Sequence, residues 1–139
     1  MEFLVEQTYR VLVTGWRGWD DVKLIHKVLD QIYWQALRQG KRMVLIHGNC
    51  PYGGADLIAE KWALARGTQV VRYTAEVDAN GKVLGKERNA LMARESRADC
   101  AIAFLHPRLS RGTRNCISEI RKNNIPLVTF KYGGKATSV

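Results

Sequence analysis

Five short runs of almost wholly apolar residues, separated by stretches of helical spacing, constrain the fold more than any other feature of this chain. The runs are Arg10-Val11-Leu12-Val13-Thr14 (closed by Gly15), Met43 to His47, Gln69 to Tyr73, Cys100 to Leu105 and Ile125 to Phe130. Strands that are apolar throughout, instead of alternately, are buried on both faces. The stretches between them carry a period near 3.6. From Asp20 to about Gln39, Val22, Ile25, Leu29, Ile32 and Ala36 recur at helical spacing, with Asp20 and Asp21 at the positive end and Gly40 as the stop. Further helices are expected over Ala55 to Arg66 (Ile58, Trp62 and Ala65 inward, Gly67 ending it), Lys86 to Ser96 and Thr113 to Asn123. Alternation of this kind specifies a parallel sheet covered by helices on both faces. Right-handed crossovers make it doubly wound, so ligands bind beyond the carboxyl ends of the strands.

Size and composition agree with one compact unit. The chain has 139 residues, 46% of them hydrophobic and 25% charged, enough for one domain with its own core. A single domain over 1–139 is expected, with a core of about 10–130, a short N-terminal extension and a loose tail from Lys131. No apolar run reaches the ~20 residues that cross a bilayer. Met1-Glu2-Phe3-Leu4-Val5-Glu6 carries acids where a secretory signal carries Lys or Arg. A cytoplasmic protein without membrane partners is therefore expected. Cys50, Cys100 and Cys116 have neither C-x-x-C nor metal-ligand spacing, which disfavours a disulfide scaffold and predicts no metal site.

Charge is biased and unevenly placed. Lys and Arg number 22 against 13 acids, giving +9. From Leu105 onward Arg108, Arg111, Arg114, Arg121, Lys122, Lys131 and Lys135 face Glu119 alone. The excess points to an anionic partner: a phosphate-bearing small molecule, nucleic acid or an acidic protein.

The predicted rim collects most of the glycines. Thr14-Gly15-Trp16-Arg17-Gly18 follows the first strand, Gly48 and the pair Gly53-Gly54 follow the second, and Gly112-Thr113 are expected to open the last helix. Glycine lets backbone N–H groups approach a phosphate closely. The first loop is neither G-x-G-x-x-G nor a P-loop, so no generic phosphate motif is matched.

Taken together these segments resemble the YspA-related branch of the SLOG superfamily. Val11 to Asp21 is similar to its T-G-S-R-x-W…D opening. His47-Gly48, Gly53-Gly54-Ala55-Asp56 and Trp62-Ala63 resemble its HG…RGAD…WA segment. Gly85 to Met92 resembles its G…RN…M helix start, Ala101 to Phe104 with Gly112-Thr113 its AF…GT, and Asn124 to Val128 its GIPV strand. The resemblance implies a Rossmann-like fold, with its five strands in the order 3-2-1-4-5, that binds nucleotides or nucleotide-derived ligands. It needs no cofactor. Relatives in the superfamily include the Lonely Guy phosphoribohydrolases, the DNA-processing DprA proteins and sensors of NAD-derived signals, and they commonly form dimers.

Carried over from Lonely Guy enzymes, the motif E-R-K-x-x-M falls on Glu87 to Met92, which puts Arg88 at the catalytic arginine. The two carboxylate positions of the second motif are Asn115 and Cys116, neither of which can stabilise an oxocarbenium-like centre or activate water. Glu119 lies one turn further on, displaced by about 4.5–6 Å along the helix. Catalytic candidates are thus Arg88 with Glu87 or Glu119. The arginine that precedes the family's Gly-Ala-Asp is replaced by Gly53, and Tyr52 is a possible substitute contact.

Expected ligand-binding residues are Thr14, Gly15, Trp16, Arg17, His47, Gly48, Gly53, Gly54, Asp56, Arg88, Asn89, Gly112 and Thr113. Arg17 and Arg88 read as phosphate clamps or as surface salt bridges. Trp16 either stacks on a base or packs with Trp19 on the helix. Asp56 is an N-cap or a ribose contact, and His47 a proton shuttle or a loop anchor. Three functions follow: a binding module that senses or sequesters a nucleotide-derived ligand, an N-glycosidase acting on such ligands, or a nucleic-acid binder. Tyr33, Trp34 and Trp62 give two helices more apolar surface than one inner face needs, which predicts a homodimer or higher homo-oligomer.

Overall fold

The computed structural model describes residues 7–133. In chain order the elements are β1 (Thr8–Gly15), α1 (Val22–Arg38), β2 (Arg42–His47), α2 (Ala55–Ala65), β3 (Gln69–Arg72), α3 (Gly85–Glu95), β4 (Cys100–Leu105), α4 (Arg111–Lys122) and β5 (Leu127–Lys131). All four strand pairings are parallel, in the order β3-β2-β1-β4-β5. The α/β architecture and strand order match the sequence expectation.

Alternate strand residues feed two separate cores, as a strand's period of two demands. Val11, Val13, Met43, Leu45, Ile102 and Phe104 pack against Ile25, Leu29, Ala59 and Trp62 of α1 and α2. On the other face, Leu12, Val44, Ile46 and Ala101 meet Met92, Cys116 and Ile120 of α3 and α4. Each buried aliphatic side chain contributes about 1.5–3 kcal/mol of transfer free energy. Because both faces are dry, the strands need apolar residues at every position.

Several local readings change. Asp21 caps α1, its Oδ1 accepting from Leu24 N–H at 3.2 Å. Ala65 is exposed, and the inner face of α2 is built from Ala55, Ala59, Trp62 and Ala63. Helix α4 starts two residues early, so Gly112 and Thr113 lie inside its first turn instead of opening it. Lys131 ends β5, and the Tyr132 ring packs 4.9 Å from Trp16 and 5.2 Å from Trp19, so the tail expectation fails for these two residues. The acid-bearing segment 1–6 and the rest of the tail, 134–139, lie outside the described residues. No helix among the described residues is long and apolar enough to cross a membrane.

Candidate functional site

Backbone contact, not side-chain chemistry, joins the first two rim loops. Ala55 N–H, at the start of α2, donates to the Trp16 carbonyl at 3.2 Å, and Trp16 N–H donates to Phe104 O at 2.8 Å. A methyl group at Gly15 would strike Ala55 and Phe104, and one at Gly54 would strike the backbone of Trp16 and Arg17. Gly54 also has φ +76°, a conformation that costs an L side chain strain. The loops after β1 and β2 therefore form one body at the N-terminus of α2.

Asp56 and His47 hold the second loop from below. His47 is buried, its Nδ1 accepting from Asn49 N–H at 2.8 Å. That leaves the proton on Nε2, which lies 2.9 Å from Glu60 Oε1. Glu60 also accepts from Arg72 Nε. Burial works to raise the Glu60 carboxyl, but the bonds from Arg72 and His47 outweigh it and hold it below its ordinary range. With both ring nitrogens engaged, His47 anchors the loop. Asp56 is the second residue of α2 and not its cap; Oδ2 accepts from Cys50 N–H at 3.2 Å. Burial pushes its carboxyl up, against the pull of His47, of the Cys50 and Gly48 N–H groups and of Arg88.

Arg88 and Asn89 join the two halves of the rim. Arg88 Nη1 donates to the Gly48 carbonyl and, at 3.5 Å, to Tyr73 O. A methyl group on Gly48 would overlap the guanidinium. Arg88 Nε donates at 2.8 Å to Asn89 Oδ1, and Asn89 Nδ2 donates to Asn115 Oδ1 at 2.9 Å and to Gly112 O at 3.3 Å. Arg88 Nη2 makes no hydrogen bond with any described residue. The line Gly48–Arg88–Asn89–Asn115 thus runs from β2 across to α4, and Asn115 enters it as a relay that the sequence did not announce.

The other expected residues divide. Thr14 and Thr113 are buried, and Thr14 hydrogen-bonds Cys116. Burial raises the Cys116 thiol to about 11, with the Thr14 bond opposing. Cys116 is wholly buried among Leu12, Met92 and Ile120, so this position has no room for a carboxylate. Trp16 lies over Gly18 and against His106 (4.5 Å) and Tyr132, which favours packing over base stacking. The exposed Arg17 sits 5.0 Å over the Tyr52 ring, a cation–π pair across the first two loops. Gly112 has open space at its Cα, whereas Gly53, at φ +92°, holds a conformation that strains an L side chain. Glu87 is exposed, and Glu119 meets Lys122 Nζ at 3.3 Å.

Two partners at the rim carry little sequence signal. Glu60 could be found as the i+4 neighbour of Asp56 on one helix face. His106, whose Nδ1 accepts from Arg108 and Leu109 N–H at 3.0 Å while its backbone N–H donates to Ser110 Oγ at 2.6 Å, folds the last loop through contacts no spacing reveals. Depressions of about 720 and 680 Å3 lie beside α4 and along α1, and neither is lined by an expected ligand residue. Among the described residues no three His, Cys, Asp or Glu groups gather as a metal site.

A doubly wound, Rossmann-like sheet with its loops joined on one rim defines the class. The chain belongs to the YspA, cpYpsA-related SLOG family, whose model matches residues 9–79. It is similar to the Gene 61 protein of Mycobacterium phage D29, at 35% identity over 127 residues, covering 87% of this chain and 95% of that protein. In fold alone it resembles the translation initiation factor eIF-2B of Pyrococcus horikoshii OT3, with a TM-score of 0.53 and 17% identity over 91% of this chain. The chain spans 41% of the length of that structure.

Proposed function

We propose that this protein is a cytoplasmic single-domain binder of a nucleotide-derived ligand, of the nucleoside monophosphate, ADP-ribose or NAD-derived type, which it senses or sequesters without turnover. One observation carries the reading: the line Arg88–Asn89–Asn115 supplies a cation and two amides but no carboxylate. Phosphate is met by a guanidinium and by N–H groups at a helix N-terminus. Hydrolysis of an N-glycosidic bond needs a carboxylate at the reacting centre. Here Asp56 is buried against loop N–H groups and Glu119 is paired with Lys122. Trp34, 52% exposed beside Leu37 on α1, supports a homodimer through that helix. Trp62 does not contribute, being buried and bonded to Asp30 at 2.9 Å.

The test is titration calorimetry with AMP, ADP-ribose and NAD, together with native mass spectrometry of freshly purified protein for a retained ligand. Arg88→Ala should weaken binding by about 1.5–3 kcal/mol, one charge-assisted contact, while circular dichroism stays folded. Unchanged affinity in a folded Arg88→Ala protein removes α3 from the site. Robust release of base or nicotinamide by the wild type replaces the binding reading with the enzyme reading.

A further inference from the structure

We infer that the groove between α4 and the open edge of β5 takes an acidic, extended peptide segment of a partner protein, at a site separate from the rim. Strand β5 pairs only with β4 among the described residues, so its outer N–H and C=O groups face no strand. An unpaired edge is a template for an added strand, whose main chain supplies affinity and whose alternate side chains supply specificity.

The neighbouring surface says which side chains fit. A groove of about 720 Å3 has Leu105, Ile117 and Thr129 as its floor and Arg114, Arg121 and Lys122 along its wall. Helix α4 buries Thr113, Cys116, Ile117 and Ile120, and its outward stripe is Arg111, Arg114, Arg121 and Lys122. No acid lies on that stripe. The Arg121 side chain makes no hydrogen bond or ion pair with a described residue, Lys122 has only the 3.3 Å surface pair with Glu119, and Arg114 donates through Nη2 alone, to the His106 and Pro107 carbonyls.

Spacing matches an extended acidic strand. Arg114 and Arg121 are seven residues apart and Arg114 and Lys122 eight, about 10.5 and 12 Å along the helix. Two acids four residues apart on an added strand are about 13 Å apart on one face, with an apolar residue midway above the aliphatic floor. The groove lining holds no aromatic ring on which a nucleic-acid base would stack, which favours peptide over single-stranded nucleic acid.

The experiment is fluorescence anisotropy of the full chain with a labelled peptide of repeating Glu-Thr-Val-Thr-Glu pattern. Binding is expected, weakening with added salt and about tenfold weaker for R121E/K122E. R121Q/K122Q, which avoids reversed charge at the helix end, should show a smaller loss in the same direction. Of two peptides N-methylated on complementary sets of alternate amides, one should lose binding and the other keep it. Three results overturn the inference: no peptide binding, unchanged binding by both folded variants, or an oligothymidylate that binds more tightly and displaces the peptide. Rim ligands play no part in this assay, so its outcome is independent of the nucleotide reading.

Discussion

Asn89→Ala is the sharpest test of the line that joins the rim. Asn89 is 5% exposed and makes three hydrogen bonds, accepting from Arg88 Nε and donating to Asn115 Oδ1 and Gly112 O. A neutral bond contributes about 1 kcal/mol net and one to a charged donor about 1.5–3. The sum is about 3.5–5 kcal/mol before relaxation. Arg88 and Asn115 are half-buried and Gly112 exposed, so water recovers part of it, leaving about 2–3 kcal/mol. For a domain of this length that corresponds to a fall of about 10 °C in Tm. Urea denaturation at constant slope reads the loss, and Asn115→Ala, which removes one bond, should cost about 1 kcal/mol. The Asn89→Ala/Asn115→Ala cycle should return a coupling of about 0.5–1.5 kcal/mol. A loss below about 0.5 kcal/mol for Asn89→Ala, or additive single losses, would refute the reasoning.

Other outcomes follow from the same geometry. Asn115→Glu, which retains an acceptor for Asn89, should give base release from AMP above a negligible wild-type background, since a positioned acid–base group is worth about 10²–10⁴ in rate; wild-type release abolished by Glu119→Gln contradicts this. Cys116→Glu should fail to fold, as its site is wholly buried. Because the folded thiol titrates near 11 and the ordinary value is 9.0, the Cys116 contribution is intact below pH 9 and declines as pH rises toward 11. Stability relative to Cys116→Val should fall by about 2 kcal/mol across that window, and a flat difference by urea denaturation contradicts it. Trp34→Lys should shift light scattering toward a monomer; a wild type already monomeric at high micromolar concentration removes the α1 dimer.

The sheet was legible because its signal is redundant. Strands buried on both faces must be apolar at every position, as in Met43 to Ile46 and Ala101 to Phe104, while their order came from the family resemblance, since the connection from β3 to β4 passes over two strands. Boundaries were less legible where tertiary contact overrides local pattern. Helix α4 absorbs Gly112 because Ser110, already bonded to His106, fixes the turn before it. Tyr132 leaves the expected tail because Trp16, Trp19 and Asp20 wait for it in space, its hydroxyl donating to Asp20 Oδ1 at 2.6 Å. At the rim, the family resemblance pointed to Arg88 and Asn89, but their partners were silent. Backbone carbonyls such as Gly48 O carry no letter in a sequence, and Asn115 was noticed only for the charge it lacks.

The crossover at the centre of the sheet also sets when the rim can exist. Strand β1 lies between β2, its near neighbour in sequence, and β4, and the bond from Arg10 N–H to Asp99 that seats β4 joins residues 89 positions apart. Closing a loop of this length costs chain entropy, and long-range pairing of this kind slows folding. The unit β1-α1-β2-α2 holds the bond from Ala55 N–H to Trp16, but the bond from Trp16 N–H to Phe104 comes only with β4. Arg88, Asn89 and Asn115 arrive only once the second half docks. The joined rim is therefore a property of the complete sheet, and any contact that spans Gly48, Arg88 and Asn115 requires both halves to be in place.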